Sequence, residues 1–305
     1  MISLAKLIGI GACVCDKLIE MNAFPTEDTK IDALYSRTAG GGPTATALCA
    51  AARLGADAAY IGTLSTDEAG DYLVGDFAAR HISTDLIRRV EGRTFCSWII
   101  LSRESGSRTC ILDRGTLPKT KLDDRQKAAI AHASLLEVDG NDLPAAVEAA
   151  DLIHAHGGKV LYDADGRYPG FEALLERADY LIPSERCAKA VTGKESFQES
   201  AEEMFRLYHP EICVVTAGKE GGAYVSEEAN GLYKAFKVDV RDTNGAGDVF
   251  HGAFCASLLR DPSLSLYDRC LFSGAVSAIK CTGVGARDSV PTYEETIKFM
   301  KGYVL

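Results

Sequence analysis

The sequence predicts an α/β protein: a mostly parallel sheet with helices on both faces, and a small β-sheet lid. Three observations predict it. Short apolar runs alternate with longer helical patterns, the rhythm of strand–helix–strand units. Two stretches, 16–40 and 93–115, carry no good helix and break that rhythm. The length, 305 residues, fits one large α/β domain with a substantial core, here taken as 1–305.

The first strand is expected at 6–12, within a buried run from Leu7 to Val14. The opening MISLAKLIGIGACVCD faintly resembles a lipoprotein cleavage site, but its positive region is a single Lys, so a strand is the better reading. The first lid insertion, 16–40, follows. A helix over 43–54 is expected from its Ala-rich run, with Pro43 in the first helical position and Gly55 as its stop. A strand at 57–62 and a helix at 67–80 come next. The second insertion holds RTFCSWIILSRESGSRTCIL, two β-rich arms around Glu104-Ser105-Gly106-Ser107, which predicts a hairpin over 93–113. Strands at 134–138, 159–163, 179–182 and 212–216 then alternate with helices at 142–156 and 196–207. Helices at 247–259, 266–281 and 293–301 close the chain.

Composition narrows the function. The chain is 47% apolar and 25% charged, with a net charge of −10. An acidic balance argues against a nucleic-acid binder, which carries a basic face. No run approaches the ~20 apolar residues of a membrane span. The 10 cysteines are scattered and form no C-x-x-C pair, so zinc-site spacing is absent and a reducing cytoplasm is expected. Cys49, Cys213 and Cys281 read as buried thiols.

Two glycine-rich elements carry the chemistry. In Gly40-Gly41-Gly42-Pro43-Thr44-Ala45-Thr46, three glycines precede a helix and allow close backbone approach to a ligand; a structural turn would look the same. In Arg241-Asp242-Thr243-Asn244-Gly245-Ala246-Gly247-Asp248, small residues turn a loop into a helix. Free N–H groups and the helix dipole there make an anion hole suited to a phosphate in transfer. Asp248 falls in the first helical turn, where a carboxylate beside an anion is suited to taking the proton of an attacking hydroxyl. A plain preference of Asp for helix starts is the alternative.

DTNGAGDVFHGAF resembles the C-terminal signature of the ribokinase/PfkB family of carbohydrate kinases. GGGPTATALCAAARLGA with IGTLSTDEAGDYL resembles its N-terminal signature. The resemblance covers essentially the whole chain, and the tract from FKVDVRDTNGAGDVFHGA to AIKCTGVGARDSVPT is most similar to a subgroup that includes sulfofructose kinases. It implies a ribokinase-like, Rossmann-type fold and an ATP-dependent kinase with Mg2+, acting on a sugar or sugar derivative. Asp248 matches the catalytic base, and Asn244, Gly245, Ala246 and Gly247 the anion hole. Asp242 and Thr243 match positions that in many members help hold a monovalent cation such as K+. Thr216, Gly218 and Gly221 match a nucleotide-contacting loop whose other reading is an ordinary strand-to-strand turn.

For the acceptor, Asp16 matches an acid at the end of the first strand, Gly41 and Gly42 the glycines that pack against the sugar, and Asp139 a strand-end polar contact. Thr46 stands where many members have Asn. The family's N-x-x-E motif is replaced by Ser184-Glu185-Arg186-Cys187, with Ser184 on the ATP side. That leaves two ways to hold magnesium: Glu185 through water, or the ATP phosphates alone. Lys30 matches a basic position that sulfofructose kinases use, and reads equally as a solvated lysine on a lid strand. Leu112 and Asn141 do not suit a sulfonate, so a ketose or sugar phosphate is favoured; Arg93, Arg108 and Arg114 leave an anionic acceptor open. Trp98, on the hairpin, reads as a substrate cover, a homodimer contact through the lid, or an apolar filler. A nucleoside kinase of the same family and a non-catalytic sugar or nucleotide sensor are the other functions weighed.

Overall fold

The computed structural model describes residues 6–105 and 107–303. Its first part runs β1 (Leu7–Ile10), β2 (Val14–Met21), β3 (Tyr35–Gly41), α1 (Pro43–Arg53), β4 (Ala58–Tyr60), β5 (Gly62–Ser65), α2 (Glu68–Ala79), β6 (Ile87–Val90), β7 (Cys96–Ser102) and β8 (Arg108–Asp113). Then follow α3 (Asp124–His132), β9 (Leu135–Val138), α4 (Leu143–Ala155), β10 (Lys159–Ala164), α5 (Glu172–Leu175), β11 (Tyr180–Pro183), α6 (Glu185–Thr192) and α7 (Phe197–Tyr208). The last part holds β12 (Ile212–Thr216), β13 (Gly222–Ser226), β14 (Asn230–Tyr233), α8 (Ala246–Arg260), α9 (Leu266–Cys281) and α10 (Tyr293–Gly302).

The main sheet has eight strands in the order β14-β13-β12-β11-β10-β9-β1-β4. From β12 to β4 all pairings are parallel, and β13 and β14 extend the edge antiparallel. Strand side chains alternate between faces. Leu7, Leu135 and Leu161 pack with Leu48, Val249, Phe254 and Val276 of α1, α8 and α9. Ile8, Leu136 and Val160 pack with Ile130, Ala149 and Met204 of α3, α4 and α7. Strands buried on both faces tolerate little polarity, which is why they were readable as apolar runs.

The chain moves from β1 to β4 on one side and returns to β9 on the other. Open α/β sheets bind ligands at such a reversal, outside the carboxyl ends of the strands. A second sheet, ordered β3-β2-β7-β8, lies at that end. It is built from the two stretches that break the helix rhythm. On the outer side of the main sheet, α1 and α8 pack closely: a Cβ on Gly252 would lie 2.1 Å from the Ala47 carbonyl oxygen. The heads of both glycine-led helices are thereby brought together.

Some expectations are corrected. The first strand ends at Ile10, because Gly11, Ala12 and Cys13 carry the chain out of the main sheet into β2. Asp16 therefore lies on β2, in the small sheet, and not at the end of the first strand. The strand expected at 57–62 is two, β4 and β5; β5 turns away to pair with β6. Strands β6, β13 and β14 and helices α3, α5 and α6 join those expected. The 93–113 hairpin forms, with Leu101 opposite Arg108, while Gly106 of its turn and residues 1–5 of the N-terminal run lie outside the described residues. No helix among the described residues is long and apolar enough to cross a membrane.

Candidate functional site

The site assembles where the loop before α8 meets the small sheet. Gly245 is the N-cap of α8 with φ 74°, and no side chain caps that end. A Cβ there would strike the Ala286 Cβ at 2.7 Å and touch Thr46 Cγ2 at 3.4 Å, besides the cost of a left-handed backbone. The Asp242 carboxylate shapes the loop from within: it accepts the Asn244 N–H and the Gly285 N–H, each at 2.8 Å. What remains open is a helix N-terminus, electropositive by its dipole and facing a cleft.

That cleft has a volume of about 450 Å³. Thr216, Gly218 and Gly221 line it, with Thr243, Ala246 and Gly247. Gly221 is obligatory there: φ is 91°, and a Cβ would lie 2.0 Å from the Tyr233 carbonyl oxygen. Gly274, Ser277, Ala278 and Cys281 of α9 also line the cleft and were missed. Their signal was a stripe of small residues at i, i+3, i+4 and i+7, the spacing of one helix face. Tyr233, Phe236 and Phe250 give the cleft an apolar wall suited to a flat aromatic base.

Ser184 and Glu185 stand beside this cleft but spend their side chains locally. Ser184 caps α6, accepting the Cys187 N–H at 3.3 Å, and bridges to Thr216 through its backbone. Glu185 pairs with Lys189 at 2.8 Å across one helical turn.

Asp248 lies in the first turn of α8, and its carboxyl is pushed up to about 7 from 3.8. Burial is the main cause; the carboxylates of Asp163, Asp139 and Asp165 push the same way, and His251 opposes them. His251, one turn on, is 3% exposed. Its Nε2 meets the Ile182 carbonyl oxygen at 3.0 Å and its Nδ1 lies 3.2 Å from Asp163 Oδ2. Burial holds the His251 ring below its usual range. Asp163 and Glu137, from β10 and β9, are pushed well above theirs, again by burial first. Neither Glu137 oxygen has a hydrogen-bond partner among the described residues, which disfavours its charged form strongly. Behind Asp248 thus lie buried acidic side chains, of which Asp163 and Asp139 raise its affinity for a proton.

The loop before α8 also meets the small sheet. Asp16 is buried; its Oδ1 accepts the Ser97 hydroxyl of β7 at 2.6 Å, and burial raises its pKa. It packs on Gly41, where a Cβ would lie 2.1 Å from Asp16 Oδ2. Gly42 is the N-cap of α1 with φ 93°, and a Cβ there would lie 2.3 Å from the Ala12 carbonyl oxygen. Arg108 of β8 donates to the Asn244 side-chain oxygen, joining the small sheet to the loop before α8.

Three expected acceptor contacts are otherwise engaged. Asp139 accepts N–H groups from Ala12, Thr44 and Asn141 at 2.7, 3.2 and 2.8 Å, so its carboxylate ties β9 to the start of α1. Thr46 Oγ1 accepts from Arg287 Nε at 3.3 Å. Lys30 lies exposed in the connection between β2 and β3, not on a lid strand. Among the other cations, Arg93 pairs with Asp113 at 2.5 Å and Arg114 stacks 5.0 Å over Phe95. Trp98 is 38% exposed beside its cross-strand neighbour Ile111, also exposed, so it is no buried filler.

Arg287 was not anticipated. Its guanidinium is 4% exposed, donates to the Gly41 carbonyl oxygen and Asp76 Oδ2 at 2.6 and 2.5 Å, and so braces the first glycine-rich element.

The chain resembles known proteins along nearly its whole length. A model of the pfkB family carbohydrate kinases matches residues 6–293. The ribokinase of Haemophilus influenzae is 29% identical over 300 residues, covering 96% of this chain and 97% of its own. A fructokinase of Solanum tuberosum is 28% identical over 284 residues, 88% of each chain. The structure of Arabidopsis thaliana ribokinase complexed with ribose and ATP superposes with a TM-score of 0.85 at 22% identity, covering 97% of this chain and 99% of that one. The Xylella fastidiosa fructokinase with bound ATP gives 0.81 at 20%, covering 98% and 99%. At such identities the structures show the shared fold.

Proposed function

The chain belongs to the pfkB family of carbohydrate kinases, and from that premise we propose how its own residues move a phosphoryl group from ATP to a sugar hydroxyl. One observation carries the proposal: the uncapped start of α8 holds its N–H groups and Asp248 in the same turn, at the edge of an apolar cleft, and Arg108 ties the loop before it to the small sheet.

ATP takes the cleft of Thr216, Gly218 and Gly221, with its base on the apolar wall and its phosphates toward Asn244, Gly245, Ala246 and Gly247. Mg2+, when bound, would neutralise charge on those phosphates, with few direct protein ligands. Glu185 and the exposed Asp165 are the carboxylates on that side, and neither belongs to a group of three ligands among the described residues. The acceptor lies against Asp16, Gly41 and Gly42, under the small sheet as a lid. Asp248 takes the hydroxyl proton as the oxygen bonds to phosphorus and the bond to ADP breaks. The loop N–H groups and the α8 dipole meet the charge on the transferring group. A carboxyl poised near neutrality suits a base that must both take and release a proton.

A ketose or sugar phosphate is favoured as acceptor over a sulfosugar. Ribokinases and fructokinases stand among the relatives, and the Arg108 contact with Asn244, set against an exposed Lys30 outside any strand, supports that reading. The exposed Trp98–Ile111 face of the lid suits pairing with a second copy of the chain. Ten unpaired thiols suit a reducing cytoplasm.

The test is a panel of sugars, sugar phosphates and nucleosides incubated with ATP and Mg2+, with products identified by mass spectrometry. Phosphorylated ribose, fructose or a ketose phosphate is the expected product. Preference for nucleosides selects the nucleoside-kinase alternative, and tight binding without turnover of any acceptor selects the sensor.

A further inference from the structure

The resemblance implies a monovalent cation beside the anion hole, held with the help of Asp242 and Thr243. The residues present do not fit one. Such a cation is held by oxygens, and those of Asp242 already serve other donors. The Asp242 carboxylate instead faces two N–H groups, those of Asn244 and Gly285, each 2.8 Å away. The Asp242 carbonyl oxygen is also taken: it accepts Lys280 Nζ at 2.8 Å.

Lys280 is an unusual residue in its own right. It stands in the last turn of α9 and is 0% exposed. A lysine that deep is rare unless a partner compensates its charge. Here the partner is the backbone of the loop that ends at Gly245, Ala246 and Gly247. The adjacent Cys281 carbonyl oxygen accepts the N–H groups of Arg241 at 2.8 Å and Asp242 at 3.2 Å, so the end of α9 and the loop are bound together. Burial pulls the Lys280 pKa down, and Asp242 opposes that by favouring the charged form.

We propose that the Lys280 ammonium serves as the built-in cation of this loop, replacing a dissociable monovalent ion and making the chain independent of K+. An ammonium group carries the same unit charge as K+ and binds the same carbonyl oxygen. Fixed to the chain, it holds the loop in shape and sets a positive charge behind the anion hole without requiring an ion from solution. Lys280 touches the loop backbone, so it acts as a positioning residue. The inference rests on the reading of the loop as the phosphoryl-binding element.

The experiment has two arms. In the first, the wild-type protein is assayed with ATP, Mg2+ and its best sugar while K+ is replaced by Na+ or tetramethylammonium at constant ionic strength. Rates that stay level support the proposal; activation by K+ of about tenfold, or about 1.4 kcal/mol, overturns it. In the second, Lys280→Ala and Lys280→Met are compared. Lys280→Ala should lose about 10²-fold in kcat, as when a preorganised charge is removed, and regain activity with added K+ or ammonium chloride. Lys280→Met fills the space without charge, so it should lose the same amount and not be rescued. Full activity in Lys280→Met overturns the proposal, whether or not Lys280→Ala folds. Affinity for a non-hydrolysable ATP analogue, measured by calorimetry with and without K+, reads the loop without turnover. Absence of turnover on every sugar would count against the kinase reading; an affinity that rises with K+ would count against Lys280.

Discussion

Arg108, on the last strand of the small sheet, donates to the side-chain oxygen of Asn244 in the loop before α8. Two segments 136 residues apart thereby share one contact over the site. Arg108 also stabilises the charged form of Asp16 across the acceptor corner. Replacing Arg108 by Ala should leave the main sheet intact and raise KM for the sugar more than it lowers kcat. Hydrogen bonds from a charged group are worth about 1.5–3 kcal/mol, so the expected rise is about tenfold or more. Steady-state kinetics with Arg108→Ala and Arg108→Lys check it. An unchanged KM in both variants removes Arg108 from the site.

The raised carboxyl of Asp248 predicts a pH profile. The base must be unprotonated, so kcat/KM should climb as pH rises through about 7 and then level. Because Asp163 is the carboxylate that pushes hardest on Asp248, Asp163→Asn should move that inflection to lower pH. Initial rates across the pH range give both values. An inflection that does not move assigns the raised pKa to burial alone.

Glu137 predicts a stability slope. Burial pushes its folded carboxyl well above the unfolded value, toward the protonated form. The folded protein then binds a proton that the unfolded chain has released. Stability therefore falls as pH rises above the unfolded pKa, by at most about 1.4 kcal/mol per pH unit for one proton. Glu137→Gln keeps the shape without the titration. It should flatten this slope and melt at or above the wild-type temperature near neutral pH. A markedly lower melting temperature would mean that Glu137 is ionised and paired.

Arg287 ties itself to β3, α1 and α2, all more than 200 residues earlier in the chain. Arg287→Met leaves the Gly41 carbonyl unpaired and removes one partner of Asp76, which keeps Arg80 at 2.9 Å. Breaking a buried pair costs about 3–5 kcal/mol, and the surviving Arg80 contact places this case at the low end. Urea unfolding measures it. Because Gly41 and Thr46 lose their brace, KM for the sugar should rise in protein that remains folded.

What could be read from sequence follows from how local each signal is. The strands at 134–138, 159–163, 179–182 and 212–216 are buried on both faces, so apolar side chains run through them. Strand β14, Asn230-Gly231-Leu232-Tyr233, is a short edge strand with mixed exposure and gave no such run. Helix α3 was missed although Asp123 and Gln126 form a capping box, because its apolar face is narrow. The loop from Arg241 to Asp248 was legible because its chemistry lies in consecutive residues. Ser97, Lys280 and Arg287 were not, because each acts on a partner far along the chain: 81, 38 and 241 residues away for Asp16, Asp242 and Thr46. Asp139 was read as a sugar contact because strand ends face ligands; the three N–H groups it accepts come from chain segments whose meeting only the fold reveals.

The central claim is that Asp248 is the base of a sugar kinase. It is tested most directly by ADP release with ATP, Mg2+ and the best sugar of the panel, comparing wild type with Asp248→Asn. The substitution keeps the shape and removes the proton acceptor. In Asp248→Asn kcat should fall by about 10²–10⁴-fold while affinity for the ATP analogue is kept. Undiminished turnover in Asp248→Asn would contradict it.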